Sequence, residues 1–272
     1  MKKKVSALLS LILIFALTTV AYAKPTAPES VLSQSEIAYL TKQVGLTEAE
    51  FKYFDIETLR SLIAKQAKRI SFQVEKDYSL SNATGADSTS ESSVTPLSTI
   101  PSTDITLWGT AFLITSDITG KKKITLYGNF EWKKDTVWRL VDKMSIGYPT
   151  TNLWTYNTSG GTILGHQNRT CNLNQQTVQW DCTAIKTVPS DATNGAGVAA
   201  TFDLSATTNY TKGYIQQDVY VNSTNTGTSN VLFRYGHRTL TGSVGVSVLP
   251  AGLSVTPATN TDTADYWVTF SW

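Results

Sequence analysis

The sequence Gly213-Tyr214-Ile215-Gln216-Gln217-Asp218-Val219-Tyr220-Val221 has the side-chain alternation of a β-strand. In an extended chain, the tyrosines with Gln216 and Asp218 fall on one side, and the aliphatic residues with Gln217 fall on the other. The pattern therefore predicts a strand with two different faces. Similar β-branched and aromatic runs, separated by Gly, Asn, Ser and Thr, fill the chain from residue 105 to its end.

The region beyond residue 105 is expected to be built from strands alone. We predict strands at residues 105–115, 123–132, 137–148, 152–156, 169–173, 177–184, 198–204, 213–221, 231–238, 243–249 and 265–272. The loop at 222–230 lies between two of them and predicts a long hairpin connection. Because no helical pattern separates the runs, we expect a mainly β, antiparallel β-sandwich. A β-barrel is the alternative, since the apolar alternation up to Trp272 is also typical of the closing strand of an outer-membrane barrel.

The segment before the strands predicts short helices. Ser33 with Glu36, and Thr47 with Glu50, have the capping-box spacing in which a hydroxyl and a carboxylate satisfy the free amides of a helix start. Asp55 is placed to open a further helix. Helices of this size bury very little surface on their own, so we expect the segment to lean on another part of the protein.

A linker is expected between the helical segment and the strands. From residue 79 to residue 103, 13 of 25 residues are Ser or Thr and almost none is large and apolar, which predicts a flexible stretch. We therefore divide the chain into a signal peptide (1–23), a small helical segment (24–77), a Ser/Thr-rich linker (78–104) and a β-sandwich domain (105–272).

The first residues predict export. Lys2, Lys3 and Lys4 precede an apolar run, and Ala21-Tyr22-Ala23 supplies the small residues of a cleavage site. We expect cleavage after Ala23, a secreted, extracellular product and no transmembrane helix after cleavage.

The charge balance argues against a nucleic-acid partner. The whole chain has 23 Lys and Arg against 21 Asp and Glu, and removal of the three signal-peptide lysines leaves 20 against 21. A nearly neutral protein exerts no long-range attraction on nucleic acids or anionic membranes.

The only two cysteines, Cys171 and Cys182, are expected to form a disulfide. An even cysteine count in an exported protein points first to a disulfide, and ten residues between the two allow a hairpin. The alternative is a metal site that adds His166, although this spacing matches no known zinc pattern. The sequence otherwise implies no metal and no cofactor.

No catalytic motif is present. Neither His166 nor His237 lies near a recognisable nucleophile, so each is interpreted as a surface or sheet residue. A hydrolase acting on extracellular polysaccharide through paired carboxylates is kept as an alternative. The candidate carboxylates are Glu131, Asp135, Asp142, Asp181 and Asp218.

One pair of adjacent stretches resembles a known group of proteins. Leu126-Tyr127-Gly128-Asn129-Phe130-Glu131-Trp132 and Val137-Trp138-Arg139-Leu140-Val141-Asp142-Lys143-Met144-Ser145-Ile146-Gly147 are similar to a stretch in uncharacterised secreted proteins of Gram-positive, Bacillus-type bacteria. The resemblance covers the helical segment and the first three strands. It implies a Gram-positive source and brings no activity or site residues with it.

The aromatic content points to binding. All seven tryptophans lie beyond residue 105, and rings exposed on a rigid sheet are a common platform for sugars or apolar partners. Tyr148, Trp154 and Tyr156 flank turn-rich segments and are the first candidates for an exposed ligand-binding group. We expect a non-enzymatic protein that binds cell-wall glycan, a polysaccharide or another extracellular protein through its surface.

Overall fold

The fold is given by a computed structural model that describes part of the 272-residue chain. The described residues are 31–72, 79–80, 94–95, 100–133, 140–149, 154–174, 179–204, 210–239, 244–249, 252–256 and 261–272. The predicted signal peptide, most of the predicted linker, Trp138 and Asp135 lie outside these ranges.

Helical structure precedes nearly all of the strands. The helical elements are α1 (Gln34–Tyr39), a π-helical turn (Leu40–Val44), a 3₁₀ helix (Glu48–Tyr53) and α2 (Ile56–Ala64). The strands are β1 (Lys68–Arg69), β2 (Ser71–Phe72), β3 (Ser79–Leu80), β4 (Val94–Thr95), β5 (Ile105–Ile114), β6 (Lys121–Trp132), β7 (Val141–Gly147), β8 (Thr158–Ser159), β9 (Thr162–Ile163), β10 (His166–Asn174), β11 (Gln179–Cys182), β12 (Asp191–Thr193), β13 (Gly197–Asp203), β14 (Thr211–Asn222), β15 (Thr228–Arg238), β16 (Gly245–Leu249), β17 (Gly252–Thr256) and β18 (Thr261–Ser271).

Two six-stranded antiparallel sheets form the body of the protein. The front sheet has the order β1-β5-β6-β14-β10-β11, and the back sheet has the order β12-β13-β7-β15-β18-β2. In the part of the chain that is described, each sheet ends in two edge strands and does not close on itself. The predicted mainly β sandwich with a small N-terminal helical segment is therefore confirmed, and the barrel alternative is not.

The two sheets pack face to face through aromatic side chains. Phe130 of the front sheet lies 4.9 Å from Phe202 and 4.5 Å from Tyr235 of the back sheet, measured between ring centroids. The Phe233 ring fits against Gly109 and Gly128, which face each other across β5 and β6. A Cβ at either glycine would lie 2.3 Å from that ring, so only glycine permits this close approach of the sheets.

We expect Gly128→Ala to lower the free energy of unfolding by about 3 kcal/mol, because the added methyl overlaps the Phe233 ring and overpacks the core. Adding Phe233→Ala relieves the overlap, so the double variant loses less stability than the sum of the two single changes. Chemical denaturation measures all three variants.

Gly120→Ala is the control for this prediction. Gly120 has a φ of +74° and nothing within 4 Å of a built Cβ, so its substitution costs only about 1 kcal/mol of backbone strain. Equal losses of stability for Gly120→Ala and Gly128→Ala would contradict the packing explanation. So would a double variant whose stability loss equals the sum of the losses for Gly128→Ala and Phe233→Ala.

The helical segment lies on the outer face of the front sheet, and we call residues 34–67 the cap. Two of its predicted helix starts are confirmed. Thr47 and Glu50 form a reciprocal capping box, in which the Thr47 backbone N–H donates to Glu50 Oε2 at 2.8 Å. Asp55 Oδ1 accepts from the Thr58 N–H at 2.7 Å at the start of α2. Residues Gln34–Trp272 form one compact unit, and the functional division at the linker remains a prediction.

One predicted connection and one predicted strand are wrong. The loop after β14 is not a hairpin, since β14 belongs to the front sheet and β15 to the back sheet, so the chain crosses between sheets there. The predicted strand at 152–156 is not formed in its described part, where Thr155 makes only an isolated bridge to Tyr220. Side-chain alternation identifies a strand, but it does not identify the strand's neighbours.

The hairpin β16–β17 covers the outer face of the back sheet. The Leu253 N–H donates to the Ala196 carbonyl at 2.9 Å, and the Val255 N–H donates to Ser145 Oγ at 3.3 Å. Ala196, Ala199 and Leu253 form a small apolar cluster beneath the hairpin. Both sheets are thus covered on their outer sides, by the cap in front and by this hairpin behind. Within the described ranges, no helix is long and apolar enough to cross a bilayer.

Candidate ligand-binding cleft

An aromatic stack holds the cap on the front sheet. The Phe54 ring stacks on Tyr127 at 4.6 Å and meets the edge of Trp108 at 5.3 Å. Tyr53 stacks on the same tryptophan at 4.9 Å. Tyr127 in turn stacks on Tyr214 of the neighbouring strand β14 at 5.3 Å. Rings that contact each other on both sides have little freedom to move, so this part of the surface is rigid.

Polar contacts add to this attachment. The Tyr127 hydroxyl donates to the Tyr53 carbonyl at 2.8 Å. The Arg169 guanidinium, on the outer face of β10, lies 3.3 Å from Asp55 Oδ2, the carboxylate oxygen that does not cap α2. The cap is therefore fixed to three strands of the front sheet by both rings and charges.

A cleft of about 180 Å³ opens beside the cap, and we call it the capped cleft. Its wall on the cap side is formed by Lys52, Tyr53, Phe54 and Asp55; the remaining lining residues are Tyr127, Asn129, Cys171, Trp180, Cys182, Lys212, Gly213 and Tyr214. Typical pockets for drug-sized ligands measure roughly 300–1,000 Å³. The capped cleft therefore has room for a single ring or a short side chain.

Asn129 gives the capped cleft an unsatisfied polar group. Its side chain is only 5% exposed, and its Oδ1 makes no hydrogen bond with any described residue. A buried acceptor without a partner costs about 1–3 kcal/mol, and such groups are rare in folded proteins. This oxygen is itself closed to solvent, so it lies behind the surface of the capped cleft.

The wall opposite the cap is the hairpin of β10 and β11. Cys171 and Cys182 pair directly across its two strands and form the predicted disulfide. Trp180 lies two residues before Cys182, and its side chain lines the capped cleft. The Lys212 ammonium lies over the Trp180 ring, 4.2 Å from its centroid, in a cation–π contact. The disulfide therefore fixes the strand that carries Trp180, and the ring positions the lysine.

Three ionisable groups in the capped cleft have shifted pKa values, and burial raises that of the Tyr127 hydroxyl. Burial lowers the pKa of Lys212, although Glu131 and Asp55 oppose that shift. Burial also raises the pKa of the Tyr214 hydroxyl, and the Asp55 carboxylate raises it further. Tyr214 is consequently a neutral hydrogen-bonding group at neutral pH.

We expect replacement of both cysteines by serine to lower the free energy of unfolding by about 3 kcal/mol and to loosen the Trp180 wall. The reason is that β11 is an edge strand, paired only with β10 among the described residues. Hydrogen exchange of the β11 amides, together with thermal melting, measures both effects.

A reducing agent supplies the matched control. Reduction should loosen β11 in the wild-type protein and leave the double serine variant unchanged. If β11 exchanges equally slowly in both proteins, with and without reductant, the wall does not depend on the disulfide.

The aromatic group predicted to be exposed is buried. Tyr148 is 1% exposed, Trp154 is 2% exposed and Tyr156 is 8% exposed. The structure does bring them together, with 5.8 Å between the Tyr148 and Trp154 ring centres, but they belong to the sandwich core. Trp154 also packs against Trp272, 4.7 Å away. The prediction of exposure is wrong because the three rings pack against one another and against Phe270 and Trp272.

The candidate carboxylates are scattered over the part of the structure that is described. Asp142 is fully buried on the inner face of the back sheet, where the Tyr235 hydroxyl and His237 Nδ1 contact its Oδ2. Asp218 lies on the outer face of the front sheet, 3.1 Å from Lys123 Nζ. Glu131 is on that outer face too, but six residues further along the paired strands, at roughly 20 Å.

Asp181 is exposed on the edge strand β11. Its neighbours Trp180 and Cys182 both line the capped cleft, so the Asp181 side chain points to the other face of the strand, away from the cleft. The four described candidates, Glu131, Asp142, Asp181 and Asp218, thus lie on different faces or far apart along the strands, and they do not form the facing pair that glycoside hydrolysis requires. Both histidines lie in strands, as predicted. Burial lowers the pKa of His166 to about 4, so this imidazole is neutral at physiological pH.

Comparison with known proteins gives only distant likenesses. No protein-family model matches this chain, and no curated protein matches its sequence. Among solved structures, the chain is similar to the membrane-inserted form of the Clostridium perfringens NetB toxin, with 7% identity over 60% of this chain and 90% of that one and a TM-score of 0.30. It is also similar to the Clostridium perfringens delta-toxin, with 7% identity over 61% and 84% and the same TM-score. Likenesses this distant carry no conclusion about function.

Most residues of the capped cleft are not marked in the sequence. Tyr53, Asn129, Trp180 and Lys212 come from four separate segments, and only the fold brings them together. The one available signal is Trp180, because an aromatic residue two positions from a disulfide cysteine in a short strand is held rigidly near the surface.

Proposed function

We propose that this protein is an exported, non-enzymatic binding protein that holds one sugar ring of an extracellular glycan in the capped cleft. The proposed partner is cell-wall glycan or another polysaccharide. The disulfide supports export, because disulfides persist in oxidising compartments outside the cytoplasm. Secretion with a cleaved signal peptide, and the Gram-positive source, remain part of this proposal.

The observation that carries the proposal is a small cleft walled by the Tyr53, Trp180 and Tyr214 rings, with polar side chains among its lining residues. A pyranose ring has C–H faces that pack against Tyr and Trp rings, and it has hydroxyls that form hydrogen bonds with polar side chains. The volume of about 180 Å³ suits one ring rather than an extended oligosaccharide. The chain on either side of the bound ring would then run over the protein surface.

Co-sedimentation with insoluble cell-wall glycan tests the proposal directly. The mature chain, residues 24–272, should sediment with the glycan, and Trp180→Ala should weaken this binding at least about tenfold. Trp267→Ala is the matched control. It removes a partly buried tryptophan from β18 of the back sheet, which does not line the capped cleft.

A second variant separates ligand contact from wall packing. Asn129→Leu keeps a side chain of similar size and removes both the orphaned acceptor and a polar amide from the cleft lining, so it should stabilise the free protein while weakening glycan binding. The proposal fails if the wild-type protein binds no envelope or polysaccharide fraction. It also fails if Trp180→Ala and Trp267→Ala bind equally well.

A further inference from the structure

The charges around the capped cleft carry an inference about the kind of sugar. Lys52 and Lys212 both line the cleft, and Asp55 is the only carboxylate among its lining residues. Both oxygens of Asp55 are already engaged, one by the Thr58 N–H and the other by Arg169. The lining therefore presents two ammonium groups and no free carboxylate.

Lys212 is held inside the capped cleft. Its ammonium lies 4.2 Å from the centre of the Trp180 ring, and the disulfide hairpin fixes that ring. Glu131 is its cross-strand neighbour on β6, yet no carboxylate oxygen of a described residue lies within 4.0 Å of its Nζ in an ion pair. A half-buried ammonium without an ion-pair partner favours an anion at that place.

The aromatic walls set a second requirement. Tyr53, Trp180 and Tyr214 line the capped cleft, and simple anions such as phosphate or acetate have no ring face that packs against them. One small ligand that suits both the ammonium and the rings must carry an anionic group on a compact ring.

We infer that the ring bound in the capped cleft is an acidic sugar, a hexuronate or a similar carboxylated pyranose, whose carboxylate pairs with Lys212 and whose C–H face packs against the aromatic walls. This inference rests on the proposed function. Lys52, exposed at the rim, adds to the attraction for the carboxylate. The lowered pKa of Lys212 agrees with this assignment, because a carboxylate ligand would offset the cost of burying its charge.

Calorimetric titration of the mature protein with three probes tests the inference. D-glucuronic acid should bind at least about tenfold more tightly than D-glucose, and the neutral methyl ester of glucuronic acid should bind like glucose. The preference for glucuronic acid over its methyl ester should decrease as the salt concentration increases, because it is electrostatic. Lys212→Gln should reduce the ratio between the acid and its ester to about one.

Lys121→Gln is the matched control variant. Lys121 stands at the far end of the same pair of strands, where its ammonium donates to Asn222, and its loss should leave the preference unchanged. Inorganic phosphate and acetate are further probes, and both should bind more weakly than glucuronic acid because they have no ring that packs against Tyr53, Trp180 and Tyr214.

Each outcome has a defined meaning. Equal binding of glucose and glucuronic acid overturns the inference and leaves the proposed function standing. Absence of binding by all three sugars overturns both. If glucuronic acid binds Lys212→Gln as tightly as wild type, or if phosphate or acetate binds as tightly as glucuronic acid, the capped cleft does not recognise an acidic sugar in the way inferred.

Discussion

Phe54→Ala is expected to lower the free energy of unfolding by about 3–5 kcal/mol and to abolish ligand binding in the capped cleft. Phe54 is buried between the cap and the front sheet, in contact with the rings of Trp108, Phe112 and Tyr127. Its removal leaves a cavity at the centre of that interface, and the cap-side wall of the cleft then loses its support. Chemical denaturation gives the stability change, and calorimetry with the sugar probes gives the binding change.

Phe72→Ala is the matched control. Phe72 is 48% exposed on the edge strand β2, so its truncation should cost less than about 1 kcal/mol and leave binding intact. Limited proteolysis adds a local readout, because a loosened cap should be cut within residues 34–67 before the sandwich is cut. Similar stability losses for the two phenylalanines would contradict the account of how the cap is held.

Asp265→Asn is expected to lower the free energy of unfolding by about 3–5 kcal/mol. Arg234 and Asp265 form a bidentate ion pair, in which Arg234 Nε donates to Asp265 Oδ1 at 2.6 Å and Arg234 Nη2 donates to Asp265 Oδ2 at 2.5 Å. Each side chain is only 1% exposed, so removal of the carboxylate leaves a guanidinium charge buried without its partner. Replacing both residues together by Met and Leu should cost much less than Asp265→Asn alone, because no buried charge then remains.

Asp191→Asn gives the comparison for an exposed pair. Asp191 contacts Lys143 at 3.0 Å, and the Asp191 side chain is 39% exposed. Water screens this contact, so its loss should cost no more than about 1 kcal/mol. If Asp265→Asn lowers the free energy of unfolding no more than Asp191→Asn does, burial of the Arg234–Asp265 pair does not increase its effect on stability.

Alternation in the sequence was sufficient to predict most of the long strands, including β14 and its two faces. In β14, Ile215 and Val219 point into the sandwich core, while Tyr214 and Asp218 lie on the outer face, as the alternation predicts. The pattern does not show that both faces are covered. The outer residues of β14 are buried as well, because the cap and neighbouring side chains lie over them.

The candidate site could not be predicted from the sequence for a related reason. Tyr148, Trp154 and Tyr156 lie next to turn residues, and turns usually favour exposure, yet the chain end with Phe270 and Trp272 packs over Trp154. Cleft residues such as Asn129, by contrast, belong to ordinary strand patterns and become distinctive only when the cap and the disulfide hairpin close around them. Local periodicity determines on which face of a strand a side chain lies. Which other part of the protein packs against that face is determined by long-range contacts.

Sugar binding in the capped cleft is tested by a nuclear magnetic resonance titration of residues 24–272 with D-glucuronic acid. The indole N–H signals of the tryptophans, assigned by single Trp→Phe variants, report separate places in the fold. We predict that the Trp180 indole and the Asn129 side-chain amide shift together with one dissociation constant, while the Trp267 and Trp272 indoles do not move. Saturating shifts elsewhere with Trp180 and Asn129 unchanged, or no saturable shift at all, would contradict the claim.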